Sequence, residues 1–202
     1  MKVIGITGPT GAGKTTVLNV LSALGGAVLD CDALYHGLTE NCQPMRQELS
    51  DRYGAEIFDG NGVLKRKELG AIVFADQQAL ADLNEITHRY VYQAVEQAIE
   101  AARDEGRPAV AVDAIALLES GLGVLCDATV AVTADDELRV RRVMVRDNIS
   151  EEYARKRVGA QKPSAWFEEQ CDYTIRNDGS DPSEVEAKAY QLFNSMINKE
   201  VI

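Results

Sequence analysis

Basic charge is scarce in this chain of 202 residues: 21 Lys and Arg stand against 32 Asp and Glu, a formal net charge of −11 at pH 7. Affinity for a polynucleotide backbone needs clustered cations, so a broad nucleic-acid surface is excluded. Cysteine and histidine are also thin. Cys31, Cys42, Cys126 and Cys171 form no C-x-x-C pair, and His36 and His88 lie far apart. Neither a zinc site nor a disulfide framework is legible. No apolar run approaches the roughly 18 to 20 residues that span a bilayer, and the N-terminus lacks the basic, apolar, small-residue order of a signal peptide. The expectation is a cytoplasmic protein with no membrane and no nucleic-acid partner. With 46% hydrophobic residues and only 5 prolines, the composition is that of a folded chain rather than a disordered one.

The segment Lys2 to Thr7 (KVIGIT) is a short apolar run that stops at glycine, as a buried parallel strand does. A glycine-rich loop, Gly8 to Thr16, follows and runs into a helical pattern whose apolar face is Val17, Leu18, Val20, Leu21 and Leu24. Gly25-Gly26 ends that helix. Ala27 to Leu29 predicts a second strand, ending at Asp30-Cys31-Asp32. From Ala33 to about Arg103 the pattern is helical apart from the turn Asp59-Gly60-Asn61-Gly62, far longer than a βαβ crossover requires. Strands are predicted again at Ala109 to Val112, ending at Asp113, at Ala128 to Val132, and at Cys171 to Ile175. Thr133 and Asp136 fit a capping box opening one helix, Ser150 caps the next, and a last helix runs from Pro182 to about Asn198.

Gly8-Pro9-Thr10-Gly11-Ala12-Gly13-Lys14-Thr15 fits G-x-x-x-x-G-K-[ST], between a predicted strand and a predicted helix. The glycines let backbone N–H groups wrap a triphosphate, and the helix starting at Lys14 turns its positive end to the same anion. Lys14 is expected at the β and γ phosphates, and Thr15 on the Mg²⁺ that bridges them. Gly8, Gly11, Ala12, Gly13, Lys14, Thr15 and Thr16 are the candidate ATP-binding shell. These residues predict a P-loop kinase.

Asp30 and Asp32 stand just past the second strand, where ligands lie in open α/β sheets. Two apart in extended geometry, they would point to one side, as a proton acceptor and a support for metal-bound water, with Asp30 a possible Mg²⁺ ligand. The alternative is that Asp32 merely caps a helix at Ala33. A second concentration is basic: Arg139, Arg141, Arg142, Arg146, Arg155, Lys156, Arg157 and Lys162 crowd one stretch. It reads as a lid bringing guanidinium groups to the transferring phosphoryl, or else as a solvated face paired with Glu151 and Glu152. Spacing alone favours structural roles for His88 and Glu119, and small-residue packing for Cys31.

Ordered along nearly the whole chain, these segments resemble the dephospho-coenzyme A kinases. The resemblance rests on GPTGAGKTT, Leu29-Asp30-Cys31-Asp32, Gly62-Val63-Leu64-Lys65-Arg66 with Val73-Phe74, and Leu83-Asn84-Glu85-Ile86-Thr87-His88. It continues through Leu117-Leu118-Glu119, Arg142 to Asp147, Gln161, Cys171-Asp172 and Asn177-Asp178-Gly179. Arg89 replaces a usual proline, and Ile115-Ala116 depart from a usual Pro-Leu. The resemblance implies an α/β P-loop three-layer sandwich with a parallel sheet, a helical acceptor-binding insertion and a small helical lid. The core is then 1–32, 104–140 and 168–202, the insertion about 33–103, and the lid about 141–167. It implies ATP and dephospho-coenzyme A as substrates, with the ribose 3′-hydroxyl phosphorylated in the last step of coenzyme A synthesis. By position, Asp32 is the implied base, Arg66, His88, Leu117 and Glu119 acceptor-side residues, and Arg142 and Arg146 lid arginines. Asn177 falls where the adenine ring is contacted. A P-loop alone does not choose the acceptor, so a kinase of a nucleoside, shikimate or a sugar stays open. A non-catalytic nucleotide switch would carry N-K-x-D, which is absent.

Overall fold

In Lys2–Thr7 (β1) every residue after Lys2 is buried, the mark of a strand covered on both faces. The computed structural model describes residues 1–179 and 181–198. Its strands β1, β2 (Ala27–Asp30), β3 (Ala109–Asp113), β4 (Ala128–Thr133) and β5 (Tyr173–Arg176) form a parallel sheet in the order β2-β3-β1-β4-β5. β1 pairs in parallel with β3 and β4, setting Ile6 beside Asp113 and Thr7 beside Ala131. On one face, Ile4, Ile6, Ala111, Val130 and Val132 pack against Val17 and Leu21 of α1 (Lys14–Ala23) and Phe193 of α9 (Pro182–Asn198). On the other, Gly5 leaves room for Leu117, whose Cδ2 would lie 2.6 Å from any added Cβ.

The remaining helices are α2 (Cys31–Asn41), α3 (Gln43–Tyr53), α4 (Arg66–Val73), α5 (Gln77–Asp104), α6 (Asp136–Asp147), α7 (Glu151–Gly159) and α8 (Ser164–Gln170). The chain divides into two compact units, one made of Met1–Leu29 with the residues from Ile99 onward, the other of Asp30–Ala98. The second unit has its own core. Met45, Leu49 and Tyr53 follow one another at i, i+4 along α3 and meet Ile57, Leu64, Leu69 and Val73. The buried Tyr53 hydroxyl donates to the Ala79 carbonyl at 2.8 Å. The predicted turn is built by Asp59, whose carboxylate accepts from the N–H groups of Asn61 and Val63.

Two local expectations are corrected. The capping box of Thr133 and Asp136 does not form: Thr133 is the last residue of β4, fully buried, and its hydroxyl donates to Glu168 at 2.8 Å. Asp135 caps α6 instead, its carboxylate accepting from Glu137 and Leu138 N–H. The last strand starts two residues later than the apolar pattern suggests. Asp172 is held outside it, accepting from both the N–H and the hydroxyl of Thr129 at 2.8 Å. Ser150 does cap α7, accepting from Tyr153 N–H.

Candidate functional site

The loop from Gly8 to Gly13 joins the carboxyl end of β1 to the amino end of α1. Lys14 curls back over it, its Nζ donating to the Gly8 carbonyl at 2.8 Å. Thr15 is exposed in the first turn and Thr16 is half-buried. The first N–H groups of a helix have no intrahelical acceptor, so this turn presents donors and a partial positive charge to an anion. Two glycines are irreplaceable by geometry. Gly13 sits at φ +96°, with an added Cβ 2.2 Å from the Asn177 amide nitrogen, and Gly11 at φ +80°, with an added Cβ 2.8 Å from the Arg139 carbonyl. Both close approaches come from elements packed behind the loop.

Chief among these is α6. Residues 139, 142 and 146 recur at i, i+3 and i+7, hence on one face of the helix, while Val140 and Val143 pack on Ala154 and Val158 of α7. The three arginines of that face all meet the loop. Arg139 Nε donates to Thr10 O at 3.0 Å, Arg142 Nη1 to Gly11 O at 3.4 Å, and Arg146 Nη2 to the Thr10 hydroxyl at 3.3 Å. Arg142 Nη2 also reaches Asn177 Oδ1 and Gly179 O, both at 3.3 Å. Desolvation pulls the pKa of Arg142 below its usual value, opposed by Asp178. Arg146 is additionally paired with Asp147, which also receives Arg157.

Several expected site residues have other duties. Arg139, counted with the lid stretch, is 1% exposed and belongs to the interior. Asn177 is buried, with its amide donating to Ala12 O at 2.8 Å, so its side chain braces the loop. Leu117 is fully buried against β1 and has no surface to offer an acceptor, whereas Glu119, two residues on, is exposed. Gln161 accepts the Thr10 N–H at 2.7 Å.

In the second unit the pair of aspartates is not extended. α2 begins at Cys31, so Asp30 is the cap, accepting from Ala33 N–H at 3.0 Å, and Asp32 lies in the first turn. Residues i and i+2 of such a start do not share a face, which overturns the common direction expected of them. The residue that does follow Asp32 on its face is His36, at i+4. Arg66 lies against that imidazole, Nη2 2.5 Å from Nδ1. The i, i+4 spacing of His36 from Asp32 has meaning only because Cys31–Asn41 is a helix, and no motif in the sequence marks it. His88, on α5, is half-buried, and desolvation alone lowers its pKa. Arg89, at the departure from the usual proline, pairs with Glu48, whose other oxygen accepts the Tyr90 hydroxyl.

Cys126 is pushed up to about 12 by burial and by Asp127, which leaves its thiol protonated and unreactive at neutral pH. No helix among the described residues is long and apolar enough to cross a membrane.

Known proteins place this arrangement. The model of the dephospho-CoA kinase family matches residues 2–183. A dephospho-CoA kinase of Corynebacterium diphtheriae is 37% identical over 180 residues, covering 89% of this chain and 90% of that one. That of Anaeromyxobacter dehalogenans is 36% identical over 192 residues, covering 95% and 90%. Among solved structures, a Thermus thermophilus protein superposes with a TM-score of 0.81 at 32% identity, covering 96% of this chain and 97% of its own. A shikimate kinase of Acinetobacter baumannii shares the fold alone, with a TM-score of 0.54 at 17% identity over 98% of this chain and 96% of its own. A glycine-rich loop between strand and helix, braced by one arginine face, in a chain whose residues 2–183 are matched by one family model, makes this protein a member of the dephospho-CoA kinase family.

Proposed function

We propose that the protein transfers the γ-phosphoryl group of ATP to the ribose 3′-hydroxyl of dephospho-coenzyme A, giving coenzyme A and ADP. Family membership across residues 2–183 is the observation that carries this reading, since the loop by itself is shared by kinases of many alcohols. The roles of individual residues are part of the proposal.

ATP enters with its β and γ phosphates against the loop from Gly8 to Thr16, which offers backbone donors and the Lys14 ammonium. Lys14 exchanges the Gly8 carbonyl for phosphate oxygen, a stronger acceptor because it is charged. The exposed Thr15 hydroxyl would hold a Mg²⁺ ion, which would supply positive charge to the transferring phosphoryl group. Arg142 and Arg146 bring cations from α6. Their present acceptors are carbonyls, an amide, a hydroxyl and one carboxylate, all of which a polyphosphate outcompetes.

On the acceptor side, Asp32 is the proposed base for the 3′-hydroxyl proton, a task typically worth about 10² to 10⁴ in rate. Asp30 is occupied in capping α2, so its support of a metal ion is the weaker half of the pair. Arg66 is suited to an acceptor phosphate through paired N–H donors, with His36 and His88 of the same unit as further polar contacts.

The test is initial rates with dephospho-coenzyme A, adenosine, AMP and shikimate at equal concentration and saturating ATP, with the product identified as the 3′-phosphate. The pyrophosphate and pantetheine arm supply binding energy that orients the hydroxyl, so dephospho-coenzyme A is expected to be used far faster. Arg66→Ala is expected to lower acceptor use more than ATP use. Faster turnover of shikimate or adenosine would overturn the acceptor assignment and leave the P-loop kinase standing.

A further inference from the structure

A guanidinium with 1% of its surface exposed is an expensive thing to place behind a loop, because taking a cation out of water costs several kcal/mol before any partner is counted. Arg139 is that residue. Among the described residues it has one ionic partner, Asp136, at 2.7 Å, whose own side chain is 66% exposed, and its Nη2 is buried with no hydrogen-bond partner. An apolar side chain of similar volume would fill the space at lower cost, since replacing a buried ion pair by hydrophobic residues is often neutral or stabilising.

What the arginine does there is visible in its other bond. Arg139 Nε holds the Thr10 carbonyl, its own main chain lies against Gly11, and the rest of Thr10 is held by the same part of the chain. Gln161 accepts the Thr10 N–H and Arg146 meets the Thr10 hydroxyl, so all three polar groups of one loop residue answer to α6 and the turn after α7. We propose that Arg139 is a positioning residue for phosphoryl transfer: it fixes the Thr10–Gly11 peptide from behind, and the loop meets ATP already shaped. Being wholly buried, it acts through the loop and not by touching nucleotide. The inference rests on the kinase reading only in needing a nucleotide that binds this loop, and not on which acceptor is used.

The experiment compares wild type with Arg139→Met, Arg139→Lys and Asp136→Asn, using ADP titration without acceptor, kcat and the KM of each substrate, and thermal melts. Arg139→Met is expected to weaken ADP and raise the ATP KM by about tenfold or more, leave the acceptor KM unchanged, and melt within about 4 °C of wild type. Arg139→Lys, which keeps one donor for Thr10 O, is expected to recover part of the nucleotide affinity. Asp136→Asn alters an exposed group and keeps the fold if Arg139→Met does not; a severalfold rise in the ATP KM with an unchanged melt is expected. Wild-type ADP affinity in Arg139→Met, or in Asp136→Asn should Arg139→Met not fold, would overturn the proposal. So would a loss of affinity that tracks lost stability and that lysine does not relieve. Failure of wild type to bind ADP would instead overturn the reading of the loop itself.

Discussion

Asn177→Ala is the sharpest perturbation of the glycine-rich loop that leaves every loop residue in place. The wild-type amide donates to Ala12 O at 2.8 Å and its oxygen takes Arg142 Nη2 at 3.3 Å, all beneath a surface only 7% exposed. Truncation removes a buried neutral hydrogen bond and leaves the Ala12 carbonyl without that donor, at a cost of about 1 to 3 kcal/mol. The longer contact to Arg142 adds little. A value of about 2 kcal/mol corresponds to a fall of about 4 to 8 °C in Tm for a chain of this size. The same amide stands 2.2 Å from where a Gly13 Cβ would be, so the two sites are coupled. Gly13→Ala suffers both the clash and the left-handed backbone, whereas in the double variant the clash is gone and only the backbone strain remains. Urea unfolding of the two single variants and the double is expected to give a coupling energy of about 1 kcal/mol or more, the double being less destabilised than the sum. Additivity within about 0.3 kcal/mol, or a melt of Asn177→Ala matching wild type, would refute the account of this amide as a brace.

Two further outcomes separate residues of the second unit. Asp30→Ala is expected to lose about 1 kcal/mol of stability through its cap, while Asp30→Asn keeps it and Asp32→Asn leaves the melt unchanged but lowers kcat about 10² to 10⁴; full activity of Asp32→Asn would end its role as base. For His88, whose folded pKa is depressed by burial, the unfolded chain takes up the proton first as pH falls. Its contribution to stability is therefore present above about pH 6.5 and is lost as pH drops through that value toward the lower folded pKa. His88→Asn is expected to flatten the dependence of the urea midpoint on pH between about 5 and 7, and an unchanged slope would count against the burial effect.

The strands were legible because their signal is continuous. β1, β3 and β4 are apolar runs ended by Thr or Asp, and no other element competes for such runs at that length. Their boundaries fail where side chains hydrogen-bond locally instead of extending the ladder. Asp172 anchors on Thr129 before β5 begins, and Thr133 gives its hydroxyl to Glu168 when the sequence offers it as a cap. Polar residues at an element's end have more than one satisfied arrangement, and only tertiary neighbours select one.

For the candidate site, position along the chain was readable and direction was not. Residue identity marked a glycine-rich loop at Gly8 to Thr16 and cations in the stretch from Arg139 to Lys162, but a run of arginines on a helix points every way until its register against a neighbour is known. Once Val140 and Val143 settle on α7, the positions 139, 142 and 146 are committed to the loop and Arg141 is turned away, donating to Glu137 O in its own helix. The same register explains why the charges of this one helix differ in kind. Arg139 lies nearest the helix start, behind Thr10 and wholly covered, while Arg146, two turns on, keeps 56% of its side chain exposed and is held by a carboxylate it can leave. Helical rise thus grades one arginine face from a covered brace at Arg139 to an exposed, ion-paired cation at Arg146, a gradation invisible to composition because it depends on which turn of the helix lies behind the loop.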